Sequence, residues 1–133
     1  MRVMVDSNVI ISAIYNPNST PARAVRDVCE NHELILCDHI VAECYDVVER
    51  KFPQHIPVLD KLLISLGYSL VVAPRGNGSV ISDPKDAPIL NSAILEGADI
   101  IISGDKHFLS LGLEHPKVMT PAQYLETIEP QSG

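Results

Sequence analysis

The stretch VMVDSNVIISA, residues 3–13, is the most informative part of the sequence about the fold. Its short apolar run ends at Asp6, and a helical pattern begins at the next residue. Residues 2–5 are rich in apolar and β-branched side chains, as in a buried parallel strand. A helix is expected over residues 7–14. Ligands bind at the carboxyl ends of the strands in open α/β sheets. Asp6 is therefore predicted to lie at the ligand-binding edge of such a sheet.

The same arrangement returns in ADIIISGDKHF, residues 98–108. A strand is predicted over residues 100–103, which form the most apolar run of the chain, and Asp105 follows it closely. Gly104 would allow the backbone to approach a ligand closely. Asp105 is thus expected at the same edge of the sheet as the first acid.

Two further acids lie on predicted helices. Glu43, in HIVAECYDVV (39–48), falls on the edge of the apolar stripe of its helix and not opposite it. Asp86, in DPKDAPILNSA (83–93), continues the buried face of its helix toward the N-terminus, where the helix dipole favours an anion. A capping role alone remains an alternative for Asp6 and for Asp86. Four acids at one rim are harder to explain as caps.

A cluster of carboxylates needs a compensating charge. Bare carboxylates about 4 Å apart repel by roughly 4 kcal/mol per pair at an effective dielectric constant near 20. Such a cluster must therefore bind a cation or take up protons. We interpret the four acids as a divalent metal site.

Strands alternate with helices along the whole chain, which predicts a parallel sheet with helices on both faces. Asp38 is a plausible N-cap of the helix that starts near residue 40. The remaining predicted helices cover 20–30, 40–51, 60–66, 86–96 and 120–128, and the remaining strands cover 33–37, 70–73 and 118–119. The fold class is therefore α/β, a three-layer α/β/α sandwich with a central mostly parallel sheet, in a single domain over residues 1–133.

Composition narrows the class of protein. A hydrophobic content of 46% supports a compact core, and no apolar run approaches the roughly 20 residues of a membrane span. The first residues reach an acid too early for a signal peptide, and three cysteines form no CxxC pair, which favours a reducing compartment. We therefore expect a cytoplasmic protein without membrane contact.

The formal charge of −7 argues against a broad basic surface for nucleic acids. The chain has 17 acidic and 10 basic residues, so without the four clustered acids the balance is still 10 − 13, or −3. Any contact with nucleic acid must be local, through metal and a few basic side chains.

Taken in order, these motifs resemble the PIN domain family of metal-dependent nucleases, which includes many toxins of toxin-antitoxin pairs. The resemblance covers nearly the whole chain and departs from the family in a somewhat long DPKD segment. It implies that the catalytic metal ligands are Asp6, Glu43, Asp86 and Asp105, supported by Ser7, Asn8, Asp83 and Ser103. Nearby Asp46 and Glu49 make the assignment of Glu43 less specific.

The activity implied by the resemblance is hydrolysis of RNA phosphodiester bonds with Mg²⁺ or Mn²⁺. Four acids can hold one ion tightly or two ions about 4 Å apart. Expected partners are the RNA substrate, an antitoxin protein and a second copy of the chain in a homodimer. Weak substrate contacts are expected from Lys85, Lys106, His107 and Arg23.

Two other classes compete with a nuclease. A PIN-like module could bind RNA or protein without cutting, although all four acids are retained. A receiver domain would carry two adjacent acids after its first strand, whereas Ser7 and Asn8 follow Asp6 here. A phosphatase with a DxD motif fails on the same residues.

Overall fold

A computed structural model of the protein describes residues 1–72 and 87–128. The described residues form a five-stranded sheet in the order β3-β2-β1-β4-β5, in which each neighbouring pair is parallel. Its strands are β1 (Arg2–Val5), β2 (Glu33–Cys37), β3 (Ser69–Val71), β4 (Ile100–Ile102) and β5 (Lys117–Met119).

Helices flank this sheet, so the predicted α/β/α sandwich is confirmed. They are α1 (Ser7–Tyr15), α2 (Thr20–Asn31), α3 (Asp38–Lys51), α4 (Ile56–Leu66), α5 (Ala87–Leu95), α6 (Lys106–Leu109) and α7 (Pro121–Ile128). A short 3₁₀ turn, Pro53–His55, joins α3 to α4. Among the described helices, none is long and apolar enough to cross a membrane.

The strand order reverses beside β1. The chain passes from β1 outward to β2 and β3, and then returns to the other side of β1 for β4 and β5. Val5 pairs with Ile102, and the backbone N–H of Asp6 donates to the Ile102 carbonyl at 2.9 Å. The residues that follow β1 and β4 therefore meet at a topological switch point, where α/β sheets bind ligands.

The central strands are buried on both faces, which explains their continuous apolar sequences. All three isoleucines of β4 are buried, as are Val3, Met4 and Val5 of β1. Parallel strands covered in this way hold their carboxyl ends rigidly, so they position the loops that carry the acids.

Several element boundaries differ from the sequence prediction. Helix α4 starts at Ile56 and not at residue 60, because Pro57 is tolerated in a first turn where its missing N–H has no partner to lose. Asp38 is the first residue of α3 and not its N-cap, a position that Cys37 takes without a side-chain hydrogen bond. Strand β3 begins at Ser69 and ends at Val71, one residue earlier than expected at its start.

Candidate functional site

Asp6 follows β1 and caps α1, and its carboxylate lies almost completely inside the protein, with 4% of the residue exposed. Four donors hold it, and the most distant is the Ser7 hydroxyl, 3.5 Å from Oδ1. The Ser7 backbone N–H donates to Oδ1 at 2.8 Å, while the Ser103 hydroxyl and the Asn8 amide donate to Oδ2 at 2.8 and 3.1 Å. The capping role and a place in the acid cluster are therefore compatible in one side chain.

Ser103 links the ends of β1 and β4. Its buried hydroxyl donates to Asp6 and accepts the backbone N–H of Asp105 at 3.0 Å. Asp105 in turn caps the short helix α6, because its Oδ1 accepts the backbone N–H of His107 at 2.8 Å. One hydroxyl thus sets the spacing between two of the predicted acids.

The Asn8 side chain makes a second link between the same two loops. Its amide group donates to Asp6 Oδ2 at 3.1 Å, and its carbonyl oxygen accepts the Gly104 N–H at 3.2 Å. A Cβ at Gly104 would stand 3.7 Å from Asn8 Oδ1, an ordinary van der Waals distance. The backbone at Gly104 therefore approaches its neighbour closely without requiring glycine.

Glu43 reaches the cluster from α3, where the Ser7 hydroxyl donates to its Oε1. The other three acids of that helix do not line this site: Asp46 is exposed and pairs with Arg50 at 3.4 Å, Glu49 is exposed, and Asp38 accepts the His39 backbone N–H at 2.9 Å. Among the acids of α3, Glu43 is thus the one that lines the cavity described next.

The three described acids surround one open cavity of about 350 Å³. Its walls come from the loop after β1, the first turns of α1, the middle of α3 and the start of α6. They are formed by Asp6, Ser7, Asn8, Ile11, Ser12, Glu43, Val47 and Asp105.

Electrostatics mark the cluster as well. Burial raises the pKa of Asp6, hydrogen bonds from Ser103 and Ser7 lower it, and the charges of Glu43 and Asp105 raise it further. The pKa of the adjacent Cys44 thiol is raised to about 12, mainly by burial and then by the same acids. That thiol therefore stays protonated at neutral pH, which excludes it as a nucleophile.

A family model of the PIN domain matches residues 2–107. The chain belongs to the PIN domain family. The resemblance drawn from the motifs is thereby confirmed, and PIN domains are generally nucleases.

Known proteins similar to this PIN domain span nearly all of it. The uncharacterized protein MJ1680 of Methanocaldococcus jannaschii is 30% identical over 145 aligned positions, covering 97% of this chain and 92% of that protein. A chain in the crystal structure of VapBC2 from Rickettsia felis, bound to a DNA fragment from their promoter, matches with a TM-score of 0.68. That match covers 90% of this chain and 98% of the other at 14% identity, so it supports the fold.

Three of the four predicted acids, Asp6, Glu43 and Asp105, line the same cavity of the PIN fold, but their side chains do not converge on one point. Within residues 1–72 and 87–128, no three Asp, Glu, His or Cys side chains converge closely enough to hold a metal ion. The donor chemistry nevertheless suits Mg²⁺ or Mn²⁺, which prefer carboxylate oxygens and, for Mg²⁺, keep several waters. The fourth predicted acid, Asp86, lies outside the described residues, as do Asp83 and Lys85.

The remaining predicted contacts in the described residues are not part of the cavity wall. Lys106 and His107 are exposed on α6, and Arg23 is exposed on α2. None of the three belongs to the residues that line the cavity in the described part of the PIN domain.

Three residues of the cavity wall were not predicted from the sequence. Ile11 and Ser12 lie one helical turn beyond Ser7 and Asn8, and Val47 lies one turn beyond Glu43. Residues four apart share a helix face. This spacing is the signal by which these wall residues could have been found.

Proposed function

We propose that this PIN domain is a Mg²⁺- or Mn²⁺-dependent ribonuclease that hydrolyses phosphodiester bonds of RNA, and that it is the toxin of a toxin-antitoxin pair. The observation that carries the proposal is the cavity at the sheet switch point. Asp6, Glu43 and Asp105 come to it from three separate elements, and burial, followed by the charges of the other two acids, raises the pKa of Asp6.

The metal would be held by the carboxylates of Asp6, Glu43 and Asp105, together with Asp86 as the fourth proposed ligand. A bound divalent ion supplies Lewis acidity, which lowers the pKa of a coordinated water and offsets charge on a phosphate. This is the chemistry that phosphodiester hydrolysis needs near neutral pH.

The chain's own contribution is positioning. Ser103 and Asn8 fix the orientation of the Asp6 carboxylate, and Ser7 orients Glu43. These hydrogen bonds form within the folded protein, so a cation would meet carboxylates that are already oriented.

The proposed RNA substrate and antitoxin partner are inferred from the family and from the net charge of the chain. With a net charge of −7 the chain has little general attraction for phosphates, so RNA must be recruited through the cation and local contacts. An antitoxin could use the same acids by inserting an arginine between them. We also propose that the chain works in the cytoplasm, as a single domain and as a homodimer.

A non-catalytic binding module is the second candidate, and one observation favours it. The three described acids do not converge at metal-binding distance. Such a module would bind RNA or protein through the cavity without cutting.

The two candidates are separated by incubating the purified protein with end-labelled single-stranded RNA. The proposal predicts fragments with Mn²⁺ or Mg²⁺, none with EDTA, and none from Asp105→Asn. Asp105→Asn is the informative variant, because this acid is only half-buried and asparagine keeps both its volume and an Oδ1 that can accept the His107 N–H. RNA binding without fragments in every metal would favour the binding module, and cutting in EDTA would point to a contaminant.

A further inference from the structure

A second pocket, here called the aromatic pocket, adjoins the acid cavity along α1. It has a volume of about 360 Å³ and shares the side chains of Ile11 and Ser12 with the acid cavity as a common wall. Its lining is mostly apolar and consists of Ile11, Ser12, Tyr15, Asn16, Ser19 and Phe52. The two pockets therefore lie side by side along α1.

The aromatic pocket holds an unusually exposed ring. The chain has four tyrosines, two phenylalanines and no tryptophan, and all six rings belong to the described residues. Of these six, only Tyr15 is exposed, with 66% of the residue accessible. The most exposed Tyr or Phe ring of the chain thus lies beside its acid cavity.

The Tyr15 ring is supported from behind. Its centroid lies 5.4 Å from that of Phe52 at an interplanar angle of 54°, and Phe52 also packs edge-on against His55 at 6.1 Å. Contacts of this kind favour fixed ring orientations. Tyr15 is therefore preorganised, with one side packed and the other side open.

The charge of the chain decides which ligand suits this pocket. Phosphates gain little from a protein with net charge −7, so a nucleic acid must find affinity in contacts other than salt bridges. Stacking of a base on an aromatic ring is such a contact and is worth about 1–3 kcal/mol per base.

We propose that the aromatic pocket is a base-stacking subsite, in which Tyr15 stacks one unpaired base of the RNA whose neighbouring phosphate lies in the acid cavity. The inference rests on the proposed function, because it takes RNA as the ligand of that cavity. Such a subsite requires an unstacked base in a single-stranded segment, since the faces of a base inside a duplex are covered by its stacked neighbours.

The polar rim of the pocket predicts little preference among bases. Asn16 Oδ1 already accepts the Asn18 N–H at 3.0 Å, and Ser19 Oγ accepts the Ala22 N–H at 3.3 Å. These contacts stabilise the turn between α1 and α2, so the two acceptor oxygens are engaged before a base arrives. Recognition should therefore depend on stacking, which every base can make.

The test measures binding of fluorescent single-stranded RNA in Mn²⁺ by anisotropy, on an Asp105→Asn background that keeps the RNA intact. Tyr15→Ala should weaken binding roughly 5- to 150-fold. Tyr15→Leu, which keeps apolar packing on Phe52, should also weaken it, while Tyr15→Phe should stay within about twofold. Ile64→Ala is the matched control, because Ile64 is 84% exposed and lines neither pocket.

A second arm links the effect to one base. Binding is measured for a series of RNAs that each lack the base at one position. In the protein that keeps Tyr15, removal of one particular base should weaken binding by the same factor as Tyr15→Ala does. In the Tyr15→Ala protein, removal of that base should weaken binding no further. Equal binding by Tyr15→Ala and Tyr15→Phe, at melting midpoints that show both are folded, would overturn the subsite and assign the pocket to another occupant, such as a protein side chain.

Failure of the subsite and failure of the nuclease give different results. If the unsubstituted chain cuts RNA but no abasic position couples to Tyr15, the subsite is wrong and the nuclease stands. If coupling is found but the unsubstituted chain never cuts, the subsite stands as part of a binding module and the nuclease is wrong.

Discussion

At the scale of single residues, the two serines near Asp105 differ in what they hold. Ser103 is buried and connects Asp6 to the Asp105 backbone, whereas the hydroxyl of exposed Ser110 donates only to the His107 carbonyl. Removing a buried partner leaves the other groups unsatisfied, which costs about 1–3 kcal/mol. The effect of replacing a serine on stability therefore depends on the hydrogen bonds that its hydroxyl makes and on their burial.

The first prediction follows from this contrast. Ser103→Ala should lower the free energy of unfolding by about 1–3 kcal/mol and reduce metal-dependent cleavage, although it removes no carboxylate. Ser110→Ala should change neither quantity. Urea unfolding and cleavage rates of both variants check this, and equal behaviour of the two variants would show that the Ser103 bridge has no energetic role.

The second prediction concerns the pH dependence of Asp6. Its pKa in the folded protein is raised above 3.8, mainly by burial, so the folded state binds more protons than the unfolded state in the interval between the two values. The contribution of Asp6 to stability therefore falls as pH rises from 3.8 through the raised pKa.

Urea unfolding in EDTA, repeated across pH, measures this contribution as the difference between the unsubstituted protein and Asp6→Asn. As pH rises over that interval, the unsubstituted protein should lose stability relative to Asp6→Asn. A difference in unfolding free energy that is constant with pH would mean that the pKa of Asp6 is not raised in the folded protein.

At the scale of elements, much of the fold could be predicted because local patterns specify it. The run 3–5 marks β1, and the pair Thr120 and Gln123 marks the start of α7 through reciprocal hydrogen bonds of 2.9 and 3.1 Å. The strand order could not be read in this way, because it depends on pairings between distant segments.

The parts of the site that were missed have the same origin. Helix α6 has four residues, too few to show a period, and so Asp105 was not recognised as its cap. The contact of Tyr15 with Phe52 joins the ends of two helices that follow different strands, so no local spacing reveals it. Asp6 and Glu43 could be selected because each belongs to a long, regular pattern.

The third prediction tests how two elements are joined. The hydroxyl of fully buried Tyr124 on α7 donates to Asp27 on α2 at 2.6 Å, and burial followed by that bond raises the pKa of the phenol. The Tyr45 hydroxyl donates to Asp60 in an exposed pair between α3 and α4. The two tyrosines thus offer the same bond in different surroundings.

Tyr124→Phe should lower the free energy of unfolding by about 1–3 kcal/mol, because it removes a partly buried hydrogen bond to a carboxylate. Tyr45→Phe should lower it much less, and neither variant should alter cleavage in conditions where both are folded. Chemical denaturation of both variants measures the difference. Equal losses would indicate that burial does not control the strength of this link.

At the scale of the whole molecule, we expect the acidic charge to couple stability to metal. The net charge of −7 and the clustered acids oppose compaction, and a cation that binds only the folded chain relieves part of that repulsion. Binding at a concentration of about 100 times the dissociation constant should stabilise the fold by about 2.7 kcal/mol.

The fourth prediction is therefore a rise of the melting midpoint in Mg²⁺ or Mn²⁺ relative to EDTA. The rise should be smaller in Asp6→Asn, because one of the charges that the cation offsets has been removed. Melting curves over a range of metal concentrations test this. A midpoint that does not move with millimolar metal would argue strongly against a cation site.

The central claim is that Asp6, Glu43 and Asp105 act as one metal-dependent catalytic site. The most direct measurement titrates Mn²⁺ into the protein with single-stranded RNA and records, in the same samples, bound Mn²⁺ by electron paramagnetic resonance and the rate of RNA cleavage. We predict that the rate rises in proportion to bound Mn²⁺, that Glu43→Gln loses both signals, and that Glu49→Gln on the same helix keeps both. Cleavage without bound Mn²⁺, or full activity of Glu43→Gln, would contradict the claim.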